Sequence, residues 1–271
     1  MSTLSRVIKY LSIVLGLYLV YIIISGITSL VYDIKVYKDG NNDVSKNIEL
    51  EEEYIKWYDS IDIDLGYSDL EIYDSNNDFK IEVSNDNIKY YEKDNKFIVR
   101  DKSGINIKIK NRNVVKLYIP TTKNINLLDI DMGSGKLYID RINANYIDLE
   151  LGAGSTIIND INVLRFDIET GAGVLDINNG IIKNMDLELG VGKSNINAIL
   201  RGNNKIELGV GSSNINLNDI IDNYTLKIEK GIGSIYVDDK EIKNNTTYGN
   251  GDNLIEISGG IGSINVRFGS D

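Results

Sequence analysis

Pairs of acidic residues recur along the middle of the sequence, two positions apart and just before a glycine. The first members are Asp129, Asp148, Asp167 and Asp186, and the second members are Asp131, Glu150, Glu169, Glu188 and Glu207. Carboxylates two residues apart on a strand are separated by about 6.5 to 7 Å, a distance that suits an inverting glycosidase. An active site needs one such pair, whereas this pair is repeated. The repetition favours an architectural role, and a polysaccharide-cleaving enzyme is the less favoured alternative.

The same acids are candidates for a calcium site, because Ca²⁺ prefers oxygen ligands. The candidate ligands are Asp129, Asp131, Asp148, Glu150, Asp167, Glu169, Asp186 and Glu188. Glycine-rich calcium repeats carry Asp after their glycines, and this chain instead has Lys136, Ser155, Val174, Lys193 and Ser212. Like charges about 4.8 Å apart repel by only about 0.9 kcal/mol in water. We therefore expect a solvated acidic stripe without a metal or cofactor.

The composition excludes several other kinds of site. The chain has no cysteine and no histidine, which removes thiolate metal sites, disulfides and the commonest general base. Its formal net charge of −11 argues against a nucleic-acid partner, because Lys and Arg supply most of the affinity for phosphate backbones. No catalytic residue is expected.

The acid pairs belong to a repeat that organises the chain from Leu128 to Leu217. Its copies include LDIDMGSGKLYID and MDLELGVGKSNIN, and their first glycines are Gly133, Gly152, Gly171, Gly190 and Gly209, each 19 positions after the last (for example 152 − 133). A fixed period of this length predicts a solenoid. The expected fold is all-β: a single-domain, β-helix-like solenoid with rungs of about 19 residues.

The pattern within each copy predicts two strands joined at a glycine corner. Apolar residues alternate before the glycine pair and return four and six positions after its first glycine, which places them inside the coil. Glycine tolerates positive φ and permits close stacking of rungs. The predicted corner glycines are Gly133, Gly135, Gly152, Gly154, Gly171, Gly173, Gly190, Gly192, Gly209, Gly211, Gly231, Gly233, Gly260 and Gly262.

The ends of the repeat region are less regular. A degenerate first copy, IDIDLGYSDLEIY, has Ser68 in place of the second glycine, and the intervals before Gly231 and Gly260 lengthen. We interpret residues 239–253 as a surface loop between rungs.

Polar residues after the corners predict an outward surface. Asparagine or aspartate seven positions after the first glycine predicts side-chain ladders along the stack. A polar binding face is expected from Lys136, Tyr138, Lys193, Asn195, Asn214, Tyr236 and Asn265.

The N-terminal region predicts a membrane anchor. Tyr10 to Tyr32 contain no charged residue, and a helix from Leu11 to Val31 would be about 30 Å long, the thickness of a bilayer core. We expect a cytoplasmic N-terminus (1–9), a transmembrane helix (10–32), a polar acidic stalk (33–56), a solenoid domain (57–268) outside the cytoplasm and a tail (269–271). A cleaved signal peptide is the alternative, although no typical cleavage site follows.

The membrane span, KLYIPTTKNINLLDIDMGSGKLYI and the later Gly-x-Gly repeats together resemble the bacterial "putative adhesin" family of extracytoplasmic β-solenoids. The resemblance covers residues 57 to 268 and implies a non-catalytic role in the cell envelope, with no catalytic residues to transfer. The leading hypothesis is a membrane-anchored adhesion, binding or scaffold module with an envelope glycan or surface protein as its partner. Self-association into filaments is the structural alternative.

Overall fold

The computed structural model describes residues 50–101, 112–243 and 245–269, which belong to one compact unit. In these ranges the chain forms strands and a 3₁₀ turn at Ile221–Asn223, and this confirms the predicted all-β fold. The predicted N-terminal tail, the transmembrane helix and residues 33–49 of the stalk lie outside the described residues. Within the described ranges, no helix is long and apolar enough to cross a bilayer.

The strands follow the alternation of apolar and polar residues in the sequence, because alternate side chains point to opposite sides of a strand. In chain order they are β1 Glu51–Ile55, β2 Ser60–Ser75, β3 Phe79–Val83, β4 Ile88–Lys93, β5 Lys96–Asp101, β6 Asn113–Pro120, β7 Ile125–Ile177, β8 Gly180–Lys183, β9 Met185–Arg201, β10 Asn203–Leu217, β11 Tyr224–Glu229, β12 Ile232–Val237, β13 Lys240–Ile242, β14 Thr246–Gly249 and β15 Asn253–Phe268. The long strand β7 continues without a break through three glycine corners.

Successive turns of the coil pair in parallel, with the repeats in register. In the pairing of β10 with β9, Ile206 lies opposite Leu187 and Ile215 lies opposite Ile196. β9 pairs with β7 in the same way, with Leu187 opposite Ile168. Both pairings join residues 19 positions apart (206 − 187 and 187 − 168), so one repeat makes one turn, as the solenoid prediction requires.

One column of branched aliphatic side chains runs through the interior. Its members stand six positions after the first glycine and are at most 2% exposed: Ile139, Ile158, Ile177, Ile196, Ile215, Val237 and Val266. The column four positions after the glycine is less uniform. Ser194 and Ser213 are completely buried there, and their Oγ atoms share a hydrogen bond of 2.6 Å. The expectation of apolar side chains does not hold at these two rungs, where the hydroxyls satisfy each other, nor at Thr156, which is also buried.

At the N-terminal end, the order of rungs in space differs from their order in the chain. β2 pairs with β7 on one side, with Ile63 opposite Ile130. On its other side β2 pairs with β5 and β6, which follow it in the sequence. The degenerate first copy keeps the register, since Ser68 lies opposite Gly135.

Aromatic rings and antiparallel strands close this end of the coil. β1 pairs with β3, β3 with β6, and β4 with β5. The Trp57 ring meets the Phe79 ring edge-on at 5.7 Å, and Phe79 meets Phe97 at 5.3 Å. Trp57 therefore packs at the end of the core.

The start of the folded region requires a correction. β1 (Glu51–Ile55) lies within the range predicted as a stalk, yet it is a paired strand. Its glutamates do not prevent pairing, because the backbone makes the sheet hydrogen bonds and the side chains remain exposed. Lys80 also forms an ion pair with Glu52, with 3.0 Å between Nζ and Oε2.

At the C-terminal end, too, the order of the rungs in space differs from their order in the chain. β15 lies between β10 on one side and β11 and β12 on the other, although all three strands precede it in the chain. Residues 239–253 are not the surface loop between stacked rungs that was predicted. They include β13, which pairs antiparallel with β12, and β14, which pairs antiparallel with β11. These strands cover the backbone groups of the last rung, which would otherwise form an open edge.

Candidate functional site

Two outward faces meet at the glycine corner of each rung. The acid face lies on the strand before the corner and has two columns. In spatial order the first column is Asp62, Asp129, Asp148, Asp167, Asp186, Lys205, Glu256 and Lys227, and the second is Asp64, Asp131, Glu150, Glu169, Glu188, Glu207, Ser258 and Glu229. The amide face lies on the strand after the corner, and its two main columns are five and seven positions after the first glycine. The acids and the asparagines therefore occupy different faces.

Basic side chains lie at both ends of the stretch of acid face in which every rung carries two acids. Arg100 on β5 binds Asp62 at 2.7 Å and lies 3.6 Å from Asp64. At the other end, Lys205 binds Glu207 at 2.8 Å. The repeat pattern did not identify Asp62 and Asp64 as members of the columns, because they belong to the degenerate first copy. The rungs between these ends carry the excess negative charge of the acid face.

A tyrosine joins two rungs in the middle of the acid face. The Tyr146 hydroxyl donates to Asp167 Oδ2 at 2.8 Å, and Asp148 Oδ2 lies 3.1 Å away. Arg165 pairs with Asp167 at 2.7 Å and lies over the Tyr146 ring at 5.2 Å. Burial and these two carboxylates raise the pKa of Tyr146. The phenol therefore stays protonated near neutral pH and acts as a hydrogen-bond donor between rungs.

Two acids of the acid face, Glu150 and Asp129, have raised pKa values to which neighbouring acids contribute. The charge of Asp131 is the largest cause of the raised pKa of Glu150, followed by burial and Asp148. Burial is the largest cause of the raised pKa of Asp129, followed by Asp62 and Asp148. These influences come from acids on several rungs, so they do not set one pair apart as acid and base.

The predicted calcium ligands are stacked along the acid face. In the part of the chain that the structure describes, no group of three or more acidic side chains converges in a way that could hold a metal ion. Two of the candidates, Asp148 and Asp167, face the Tyr146 hydroxyl instead.

The glycine corners are places where adjacent rungs leave no space for a side chain. A Cβ atom on Gly135 would lie 1.7 Å from the carbonyl oxygen of Ser68, and one on Gly152 would lie 2.3 Å from that of Gly133. Gly135 also has φ of +143°, which L residues rarely adopt. The structure thus places the predicted corner glycines at the contacts between rungs.

Side-chain amides link the rungs along the amide face. In the column seven positions after the glycine, Asn178 Nδ2 donates to Asn159 Oδ1 at 2.9 Å, and Asn216 donates to Asn197 at 2.6 Å. The predicted ladder therefore forms. It is interrupted at Asn197, whose Nδ2 turns to the Ile177 carbonyl oxygen at 3.5 Å.

A second ladder runs along the column five positions after the glycine. Asn195 donates to Asp176 at 2.5 Å, Asn214 to Asn195 at 2.9 Å, and Asn265 to Asn214 at 3.0 Å. The last bond crosses to the inserted strand β15. Sequence reasoning placed these asparagines on a polar face but missed the ladder, although their constant offset from the glycine carried the signal. The two ladders fix the side chains of the amide face in register.

Tyrosine rings extend the amide face at its N-terminal end. Tyr73 lies between Tyr118 and Tyr138, with ring centroids 5.5 Å apart in each pair. The ammonium group of Lys80 lies 4.2 Å from the Tyr118 centroid. At the other end, Tyr236 lies opposite Asn265. The predicted polar-face residues Tyr138, Asn195, Asn214, Asn265 and Tyr236 thus share one side of the coil.

The Toastrack DUF4097 family model matches residues 58–256. No curated protein matches the chain. Similar solved structures include a "putative cell adhesion protein" from Clostridium sporogenes, with 18% identity, 82% of this chain and 100% of that chain covered, and a TM-score of 0.35. A "putative adhesin" from Bacteroides fragilis has 14% identity, coverage of 82% and 97%, and a TM-score of 0.44. A "putative lipid binding protein" from Parabacteroides distasonis has 15% identity, coverage of 81% and 97%, and a TM-score of 0.34. Because the family model spans well over half of the sequence, the chain belongs to the Toastrack DUF4097 family.

Proposed function

We propose that this protein is a membrane-anchored, non-catalytic binding module that presents its amide face outside the cytoplasm to a component of the cell envelope. The observation that carries the proposal is the pair of amide ladders, which fix polar side chains on consecutive rungs. Groups that are already ordered lose little conformational entropy when a ligand binds. A rigid, repeated polar surface of this kind suits a ligand that is itself extended.

The spacing of the rungs favours a repeating polymer. Neighbouring strands lie about 4.8 Å apart, so the amide face offers the same hydrogen-bonding groups at regular intervals. A glycan chain or an extended surface protein can then make several weak contacts at once, and such contacts combine into a much higher avidity. Envelope glycan is the ligand that we favour.

The acid face supports a non-catalytic role. Its carboxylates are repeated on consecutive rungs. Asp131 is the largest cause of the raised pKa of Glu150, whereas burial, followed by Asp62 and Asp148, raises the pKa of Asp129, so these shifts single out no one pair. A polysaccharide-cleaving enzyme predicts instead that one pair of acids is unique. Under the proposal, alanine at Asp148 and Glu150 and alanine at Asp186 and Glu188 have the same effect on any cleavage assay.

Anchorage rests on the uncharged stretch from Tyr10 to Tyr32, which is long enough to span a bilayer as a helix. The basic residues Arg6 and Lys9 before this stretch favour an N-terminus in the cytoplasm. The solenoid then lies on the outer side of the membrane, where envelope glycan and surface proteins are within reach.

In the part of the chain that the structure describes, the strands at the two ends of the coil make filament formation a less favoured form of self-association. Antiparallel strands cover both ends: β3 and β1 lie beyond β6, and β14 lies beyond β11. End-to-end stacking needs an open rung whose backbone groups can continue the parallel sheet. The covering strands interrupt that continuation.

The test uses the full-length protein in membrane vesicles. Vesicles that carry the protein are incubated with purified envelope glycan and with solubilised membrane proteins, and retained material is identified. Protease digestion of intact cells reports separately whether the solenoid is outside the cytoplasm. Saturable retention of glycan or of one protein supports the proposal, and the absence of any retained component contradicts it.

A further inference from the structure

An aliphatic ridge runs along the glycine corner at the C-terminal end of the coil. The residue between the two corner glycines is small in the middle rungs, as in Ser134, Ala153 and Ala172, and becomes branched and apolar towards the end. We define the corner ridge as Val191, Val210, Ile261 and Ile232, in spatial order.

The corner ridge is continuous and increasingly exposed. Val210 lies opposite Val191 on one side and Ile261 on the other, and Ile261 lies opposite Ile232. Val210 is 44% exposed, Ile261 54% and Ile232 75%. Single exposed aliphatic side chains are ordinary, but consecutive ones on adjacent rungs form a patch of the kind that marks an interaction site.

The two flanks of the corner ridge differ in charge. On the acid-face side, each ridge residue is preceded three positions earlier by one of the residues Glu188, Glu207, Ser258 and Glu229. On the amide-face side, each is followed two positions later by one of the residues Lys193, Ser212, Ser263 and Ser234. The first flank therefore carries three glutamates, of which Glu207 is paired with Lys205, and the second carries the ammonium group of Lys193 and hydroxyls that can donate hydrogen bonds.

We infer that the corner ridge is the contact through which two copies of this chain associate side by side, with their coils parallel. A two-fold axis that runs parallel to the coils brings each ridge residue against its own counterpart. It also places the acid flank of one copy opposite the Lys and Ser flank of the other, so that Glu188 meets Lys193 of the second copy. An antiparallel pair would instead place acid flank against acid flank, which like charges disfavour.

The parallel arrangement also fits the proposed membrane anchorage, on which this part of the inference rests. Two parallel coils direct their N-terminal ends the same way, so both chains can enter one membrane. Four side chains bury far less than the roughly 800 Å² per partner of a stable complex. The association is therefore weak in solution and becomes populated when the membrane holds two copies close together.

Disulfide trapping in membranes tests this arrangement. The chain has no native cysteine, so every disulfide within the protein must come from the introduced residue. The full-length variants Val210→Cys, Ile261→Cys and Ile232→Cys are oxidised mildly in vesicles, and the dimer fraction is read on a non-reducing gel. Ile181→Cys is the matched control, because Ile181 is an aliphatic residue on β8 with 48% exposure. A disulfide requires the two Cα atoms to be within about 7 Å of each other.

The parallel dimer predicts same-site disulfides at all three ridge positions, about tenfold more abundant than at position 181. Adding Ile261→Ser to Val210→Cys reduces the disulfide at position 210. The inference is overturned if disulfide-linked dimers form at position 261 alone. It is also overturned if no ridge position gives a larger dimer fraction than position 181. Fractionation of the same samples reports anchorage independently: monomeric protein in the membrane fraction overturns the dimer and leaves the anchor intact. Protein in the soluble fraction overturns the anchor and, with it, the dimer that the membrane is proposed to populate.

Discussion

Gly262 lies directly opposite Gly211 at the corner of adjacent rungs, and a Cβ atom on Gly262 would be 1.7 Å from the Gly211 carbonyl oxygen. Gly262 also has φ of +142°. The two residues belong to β15 and β10, which are neighbours in space although β11 to β14 separate them in the chain. The contact shows how closely the inserted C-terminal strand fits between earlier rungs.

We predict that Gly262→Ala strongly destabilises the protein. The new methyl group clashes with backbone atoms that cannot move without breaking the sheet, and the backbone conformation strains any L residue, so the loss is about 3 kcal/mol or more. Chemical unfolding of the purified protein measures this change. Gly66→Ala is the control, because the nearest atom to its new Cβ is Asp101 Oδ2 at 3.4 Å, and it changes stability by less than about 1 kcal/mol. Equal losses for the two variants would contradict the stacking argument.

The buried hydroxyl pair predicts a non-additive pair of mutations. Ser194→Ala leaves the Ser213 hydroxyl buried without its partner, and the reverse holds for Ser213→Ala, so each single change costs about 1 to 3 kcal/mol. The double variant removes both polar groups and is about as stable as either single variant or more stable. Denaturant unfolding of the four proteins completes the cycle. Additive losses would show that the two hydroxyls do not depend on each other.

The acid face predicts a stabilising mutation whose effect depends on pH. The raised pKa of Glu150 means that the folded state binds its proton more tightly than the unfolded state does. The charged form is therefore unfavourable to folding above that pKa, and the effect vanishes at low pH. Glu150→Gln raises the melting temperature at pH 7, and the gain disappears below about pH 4.

Glu52 provides the control of opposite sign. Its hydrogen bond to Lys80 is the main cause of its lowered pKa, so its charged form stabilises the folded state above its usual pKa and this contribution is lost as the pH falls. Glu52→Gln lowers the melting temperature at pH 7, and the difference shrinks in acid. If both variants moved the melting temperature in the same direction, the electrostatic explanation would be wrong.

The geometry of the acid face also predicts the response to calcium. Asp148 and Asp167 face the Tyr146 hydroxyl, and Ca²⁺ sites need six to eight oxygen ligands around one point. Millimolar Ca²⁺ and a chelator should therefore give the same melting temperature at matched ionic strength. A rise with Ca²⁺ that Glu150→Gln abolishes would restore the calcium hypothesis.

The period of the repeat predicted the register of the middle rungs because identical offsets place equivalent residues opposite one another. Ile196 and Ile215, for example, stand at the same place in successive copies and are paired and buried. The order of the terminal rungs was not predictable in this way. Repeats that are nearly equivalent can stack in more than one order, and only three-dimensional packing decides that β15 lies between β10 and β12.

The candidate site was predictable in part. The asparagine column from Asn159 to Asn178 followed from the sequence, whereas the bond from Asn265 to Asn214 depends on the insertion of β15. The residues of β1 fall in the predicted stalk because Glu51, Glu52 and Glu53 suggest a solvated segment. Strand pairing at an exposed edge depends on backbone hydrogen bonds, which side-chain composition does not reveal.

The most direct test of the proposed function is a binding titration of purified envelope glycan onto vesicles that carry the full-length protein. Lys193→Glu with Tyr236→Ala changes the amide-face side, and Lys227→Glu with Tyr91→Ala is the matched control on other exposed surfaces. We predict saturable binding that the first pair weakens about tenfold or more and the control pair leaves unchanged. Equal binding by wild type and both variants, or binding by none of them, would contradict the assignment of the amide face as the ligand surface.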